Sequence, residues 1–93
     1  MGCRVEITTS TGYPAVMNPE DLYRRVREVV PFRELEKPNM ASEDFSFYQK
    51  HTRAMFFFLG LGDVPALHSA NFDFDETVLS RGADFFETLV RNF

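Results

Sequence analysis

The residues with the most chemical potential lie between Asn39 and Glu76. His68 stands there among small residues, in the order Ala66-Leu67-His68-Ser69-Ala70-Asn71. A neutral imidazole after a buried strand is placed to bind a metal, since α/β proteins put their ligands in loops past the carboxyl ends of strands. Upstream, Ser42-Glu43-Asp44 supplies a hydroxyl and two carboxylates that a short helix can bring towards the same region. The same residues have a plainer reading. A lone loop histidine is more often solvated than ligating, because zinc sites need three or four converging donors. Glu43 and Asp44 equally suit the first turn of a helix, where carboxylates face its positive end. From the residues alone both readings stand, and the plainer one is stronger. His51 is expected at the surface.

The elements that would position these groups follow from patterning. Cys3 to Thr9 alternates polar and apolar side chains and is β-branched, as in a half-buried strand. Thr11 to Pro14 supplies a bend. Asn18-Pro19-Glu20-Asp21 is a helix start, with asparagine expected as the cap and proline at the first helical position. Leu22, Val26, Val29 and Val30 recur at helical spacing, and Pro31 ends that helix. Phe32 to Pro38 lacks periodicity and is expected as connector. Ser42-Glu43-Asp44 is expected to cap a second, short helix reaching Tyr48 or Gln49. Ala54-Met55-Phe56-Phe57-Phe58-Leu59-Gly60 is an unbroken apolar run, as in a strand covered on both faces. Residues 62–71 are expected as loop. Asp73 or Asp75 then caps a last helix with the apolar stripe Leu79, Ala83, Phe86, Val90 and Phe93, widened by Val78, Phe85 and Leu89. The order is strand, helix, short helix, strand, helix: an α/β chain with too few strands to close a sheet.

Composition narrows the function. The 93 residues suffice for one small domain, with 44% hydrophobic residues and 26% charged. The net charge of −4 and the mixing of signs argue against nucleic acid as a partner. The longest apolar run is too short to cross a bilayer. A single cysteine, Cys3, excludes an internal disulfide and fits a reducing compartment, so a cytoplasmic location is expected. Cys3, Met40 and Met55 are expected as ordinary apolar contacts.

The string Met40-Ala41-Ser42-Glu43-Asp44-Phe45-Ser46-Phe47-Tyr48, the run Phe56-Phe57-Phe58-Leu59-Gly60 and then Ala66-Leu67-His68-Ser69-Ala70-Asn71-Phe72-Asp73-Phe74-Asp75-Glu76 resemble one known pattern. It is the C-terminal end of the aminoacylase and carboxypeptidase-type metallopeptidase family. The likeness is strongest to its amidohydrolase branch of hippurate hydrolases, auxin-conjugate hydrolases and N-acetyldiaminopimelate deacetylases. The strand before Tyr13-Pro14 and the turn to Asn18 are also similar, so the resemblance spans nearly the whole chain.

That resemblance implies a fold and a role. The fold would be a partial α/β sandwich, the C-terminal part of a zinc-peptidase-like catalytic domain. Residues 1–17 would be the last strand of the lid (dimerisation) domain and 18–93 the return into the catalytic domain. The complete family enzyme uses two divalent metals, zinc or manganese, and a glutamate general base to hydrolyse amide bonds. His68 would be its last metal ligand, while Ser42, Glu43, Asp44 and Ser69 would line the substrate pocket or support the ligands from behind. The family's other ligands and its general base match nothing in this chain. No catalytic residue and no tightly bound metal are therefore expected of this chain by itself. Its expected partners are the missing N-terminal portion of such an enzyme, another copy of itself, and an N-acyl amino acid substrate in the complete enzyme. The alternative is a non-enzymatic module that keeps the fold segment and uses it to self-associate or to bind another protein.

Overall fold

A computed structural model describes residues 2–93. Met1, the first residue of the expected lid segment, lies outside the described residues. The chain forms helices α1 (Glu20–Val29), α2 (Ser46–Gln49) and α3 (Val78–Asn92). They are joined by long irregular segments and preceded by an arm of residues 2–17.

Helix α1 starts where the proline and acids require, but its cap differs from expectation. Pro19 occupies the cap position with φ −61° and ψ 131°, and no side chain caps the helix. Asn18 is not the cap, because its carboxamide is engaged elsewhere: its Oδ1 accepts from Phe56 N at 2.8 Å and its Nδ2 donates to Phe56 O at 3.0 Å. Glu20 and Asp21 in the first turn and Arg27 in the last complement the helix dipole. Val26 and Val30 are buried, each with 4% exposure, and are the whole of the buried apolar core among the described residues.

The short α2 follows a turn in which Phe47 N donates to Asp44 O and Tyr48 N to Phe45 O, both at 3.0 Å. Ser42 does not cap it. Glu43 performs a related task, its Oε1 accepting from Phe45 N at 3.2 Å. Before α3, Asp75 Oδ1 accepts from Thr77 N at 3.0 Å and Asp75 O from Val78 N at 3.1 Å, so Asp75 organises the turn that feeds the helix.

Aromatic rings join these pieces. Tyr23 on α1 meets Phe32 at 5.3 Å between centroids, Phe32 meets Phe57 at 5.7 Å, and Phe57 meets Phe85 on α3 at 4.8 Å. All three pairs are edge-to-face, the arrangement that the ring quadrupole favours. The Arg25 guanidinium lies 4.0 Å from the Phe93 ring centre and ties α1 to the end of α3. Helix α3 faces the body with Val78, Gly82, Phe85 and Leu89, all half-buried. The other apolar stripe, Leu79, Ala83, Phe86 and Val90, points outward, with Phe86 63% and Val90 83% exposed.

The two runs expected as strands carry no ladder among the described residues. A strand exists only through hydrogen bonds to a neighbour, and neither run has one here. Ala54 to Phe57 are half-buried, whereas Phe58 and Leu59 are 60% and 47% exposed. Two side chains expected in apolar contacts are not: Cys3 is exposed, and Met40 is 91% exposed in a segment, residues 33–42, that is exposed throughout. The dimensions express the same openness. The radius of gyration is 18.1 Å and the extents 65 × 34 × 23 Å, against about 12 Å for a compact domain of this length. The accessible surface is 8750 Å², where a compact monomer of this mass exposes roughly 5,500 Å².

Candidate metal-ligand loop and its surroundings

His68 sits inside the turn closed by Ser69 N donating to Ala66 O at 2.8 Å. Ser69 Oγ then accepts from Asn71 N at 3.1 Å and Ser69 O from Phe72 N at 3.1 Å, so the stretch after the imidazole is a pair of stacked turns. Alanine and serine suit it because small or hydroxyl side chains bond locally and do not crowd the backbone. The imidazole is exposed and, among the described residues, shares no hydrogen bond or ion pair. It is presented outward.

The other expected site residues are ordered by their own segment. Glu43 is half-buried and bonded to Phe45 N, while Ser42 and Asp44 are exposed. No hydrogen bond or ion pair among the described residues links Ser42, Glu43 or Asp44 to His68 or Ser69. No group of three or more His, Cys, Asp or Glu side chains able to hold a metal ion occurs among the described residues. One imidazole is too small a donor set for a catalytic divalent ion, so these residues do not fit a resident metal by themselves. His51 is exposed, on the rim of a shallow cleft lined also by Pro14, Met17, Gln49 and Arg53. No helix among the described residues is long and apolar enough to cross a membrane.

The perturbed ionisations lie away from this loop. The Tyr23 hydroxyl donates to Glu34, and Arg27 bonds both. Glu34 is thereby held below the usual carboxylate range, chiefly by the Tyr23 hydroxyl and then by Arg27, while Tyr23 is pushed up by the Glu34 carboxylate. The Arg53 guanidinium beside Asp21 holds that carboxyl down, and Asp75 is lowered by the Thr77 backbone N–H and hydroxyl. The carboxyls are exposed and Tyr23 is half-buried; Glu34 and Arg53 tie one segment to another while Asp75 orders its own turn, which are structural tasks. Of these, the sequence points only to Asp75, expected there as a cap of the last helix. The contribution of Glu34, in the segment expected as plain connector, depends on the chain folding back over α1.

Comparison with known proteins supplies what the isolated loop cannot. The family model described as Peptidase family M20/M25/M40 matches residues 3–92. An uncharacterized hydrolase of Staphylococcus saprophyticus is 31% identical over 98 residues, covering 95% of this chain and 26% of the relative. One from Staphylococcus epidermidis is 34% identical over 99 residues, and one from Staphylococcus aureus strain USA300 is 33% identical over 99, with the same coverage of 95% and 26%. The chain thus spans about a quarter of the length of the curated relatives it matches. No solved structure matches it. With the match running across nearly every residue, the chain belongs to peptidase family M20/M25/M40.

Proposed function

We propose that this chain is the C-terminal part of a metal-dependent amidohydrolase acting on N-acyl amino acids, in the branch that holds hippurate and auxin-conjugate hydrolases and N-acetyldiaminopimelate deacetylases. Residues 1–17 are the last strand of its lid domain, and residues 18–93 the C-terminal part of an α/β catalytic domain. His68 is one donor to a zinc or manganese centre whose other donors lie on the remainder of the enzyme. Ser42, Glu43, Asp44 and Ser69 line the substrate pocket or steady the ligands. The chain works in the cytoplasm and is silent alone.

One observation carries this reading. A family match from residue 3 to residue 92 comes with the outward-facing imidazole of His68 and no three-donor cluster among the described residues. Amide hydrolysis needs an activated nucleophile and a positioned base, and this reading assigns both to the remainder of the enzyme. The open shape and the run Ala54–Leu59, which among the described residues pairs with side chains and with no strand, fit a piece whose sheet neighbours are on another segment.

The experiment is reconstitution. The chain is mixed with the upstream three quarters of the Staphylococcus epidermidis relative, with zinc or manganese, and assayed on N-acetyl and N-benzoyl amino acids. Turnover by the mixture and by neither part alone supports the reading. Turnover by this chain alone, with a stoichiometric metal, sinks it. A second reading, a self-associating or protein-binding module without catalysis, is favoured by the exposed α3 stripe. It gains if the chain oligomerises and never binds the upstream part.

A further inference from the structure

We propose that Asn18 and Gln49 form a paired amide latch that fixes the angle at which the arm of residues 2–17 leaves the helical body. A side-chain carboxamide carries the same donor and acceptor as a peptide group, so it can stand in for one rung of an antiparallel ladder. Asn18 does this to Phe56, donating to its carbonyl at 3.0 Å and accepting from its N–H at 2.8 Å. Gln49 does the same to Met17, accepting from its N–H at 3.2 Å and donating to its carbonyl at 3.0 Å. Gln49 Nε2 also donates to Ala54 O at 2.9 Å. Consecutive residues of the arm root, Met17 and Asn18, are thus held to alternate residues of the apolar run, Ala54 and Phe56. Beside them the Arg53–Asp21 ion pair fastens the start of that run to α1.

Among the described residues the arm has few other attachments, chiefly the half-buried Val16 near its root. Residues 2–12 make no hydrogen bond among the described residues, and the Tyr13–Phe47 ring contact at 5.4 Å is the nearest further attachment. The latch is therefore the pivot from which the arm's direction is set. Where it bears on activity it rests on the reading above: with residues 1–17 in the lid, Asn18 and Gln49 are positioning residues that set where the lid stands over the catalytic domain. The latch itself is a property of this chain, so it is tested without any enzyme assay.

Amide hydrogen exchange and a nitroxide on Cys3, the exposed single cysteine of the chain, read the two halves of the claim. In the unmodified chain the Phe56 and Met17 N–H groups are protected, and the label broadens a discrete set of amides in the body. Asn18→Leu speeds exchange at Phe56 about tenfold, as loss of one hydrogen bond allows, and Gln49→Met does so at Met17. Val30 N–H, bonded to Val26 O at 3.0 Å, keeps its protection in both. In the double variant the broadening becomes weak and spread over many residues. The proposal is overturned by a Phe56 exchange rate within about twofold of the unmodified chain's, the reach of ordinary context effects, or by no protection there to begin with. An unchanged broadening pattern overturns it as well. So does loss of Val30 protection in both single variants, because the amides would then be holding the body rather than the arm.

Discussion

The Asn18 carboxamide is paired with both backbone groups of Phe56, 38 residues further along the chain. That pairing accounts for an uncapped helix: the side chain that would close the α1 N-terminus is committed to a distant segment. Pro19 and the acids Glu20 and Asp21 are left to define the start. It also gives Phe56 a substitute for a strand neighbour, since one side chain satisfies both its N–H and its carbonyl.

His68 is the residue on which catalysis in a reconstituted enzyme should turn. His68→Ala is expected to leave the isolated chain's folding unchanged, since the imidazole is exposed and, among the described residues, unbonded. In the mixture with the upstream part it should lower turnover about a hundredfold or more and reduce the bound metal per complex, as loss of a direct ligand exceeds the usual penalty for its supports. Metal analysis after gel filtration and initial rates check both. Full activity of the variant would remove His68 from the centre.

Stability should fall at both ends of the pH scale. Asp21, Glu34 and Asp75 have carboxyls lowered in the folded chain, so their contribution is present above the unfolded value and is lost as pH falls through the folded one. The loss begins below pH about 4. Tyr23 is raised, so its contribution is complete below its ordinary value, about 10, and disappears as pH climbs through the folded one. Both effects are small and weaken with salt, because the carboxyls are exposed and Tyr23 is only half-buried. Urea melts at a series of pH values test the sign, and Glu34→Gln should flatten both limbs. A Glu34→Gln profile that overlays the unmodified one would separate this cluster from stability.

Gly82 is a helical glycine on the inner face of α3. A methyl built there meets Leu59 Cδ2 at 3.4 Å, the end of a side chain that can yield slightly. Gly82→Ala should therefore stabilise α3 by roughly 0.5–1 kcal/mol, the ordinary helix-propensity gain. A thermal melt followed at 222 nm reads the gain. A lowered midpoint would mean that α3 lies closer to Leu59 than the contact distance shows.

The helices were legible because their signals are local. The acids after Pro19, the spacing of Val26 and Val30, and the long apolar periodicity before Phe93 each act within a turn or two. The last of these was read correctly as a helix and incompletely as a surface: the inner face is Val78, Gly82, Phe85 and Leu89, and the more regular stripe points outward. Periodicity tells how wide an apolar band is and leaves open which side meets a partner. The amide pairs of Asn18 and Gln49 and the reach of Glu34 to Tyr23 were not legible, since they depend on contacts set by the folded path. The residue types at 42–44, 68 and 69 carried the family likeness, while no hydrogen bond or ion pair among the described residues joins the two groups, and residue types alone do not fix mutual placement.

The outward stripe of α3 gives a last expectation, that the chain self-associates. Leu79, Phe86 and Val90 are 56%, 63% and 83% exposed and share one helix face. An apolar strip of that kind is rare on a stable monomer. Light scattering behind gel filtration should give a mass that rises above 10.8 kDa as the loading concentration increases. Phe86→Glu should return the chain to a monomer with its helix content intact, because that ring is mostly in solvent. Phe85→Glu acts on the opposite side of the argument: its ring packs on Phe57 at 4.8 Å, and a carboxylate there should unfold α3 from the body rather than dissociate copies. A sharp monomer at every concentration, or an association that Phe86→Glu leaves untouched, would show that copies do not meet through this face.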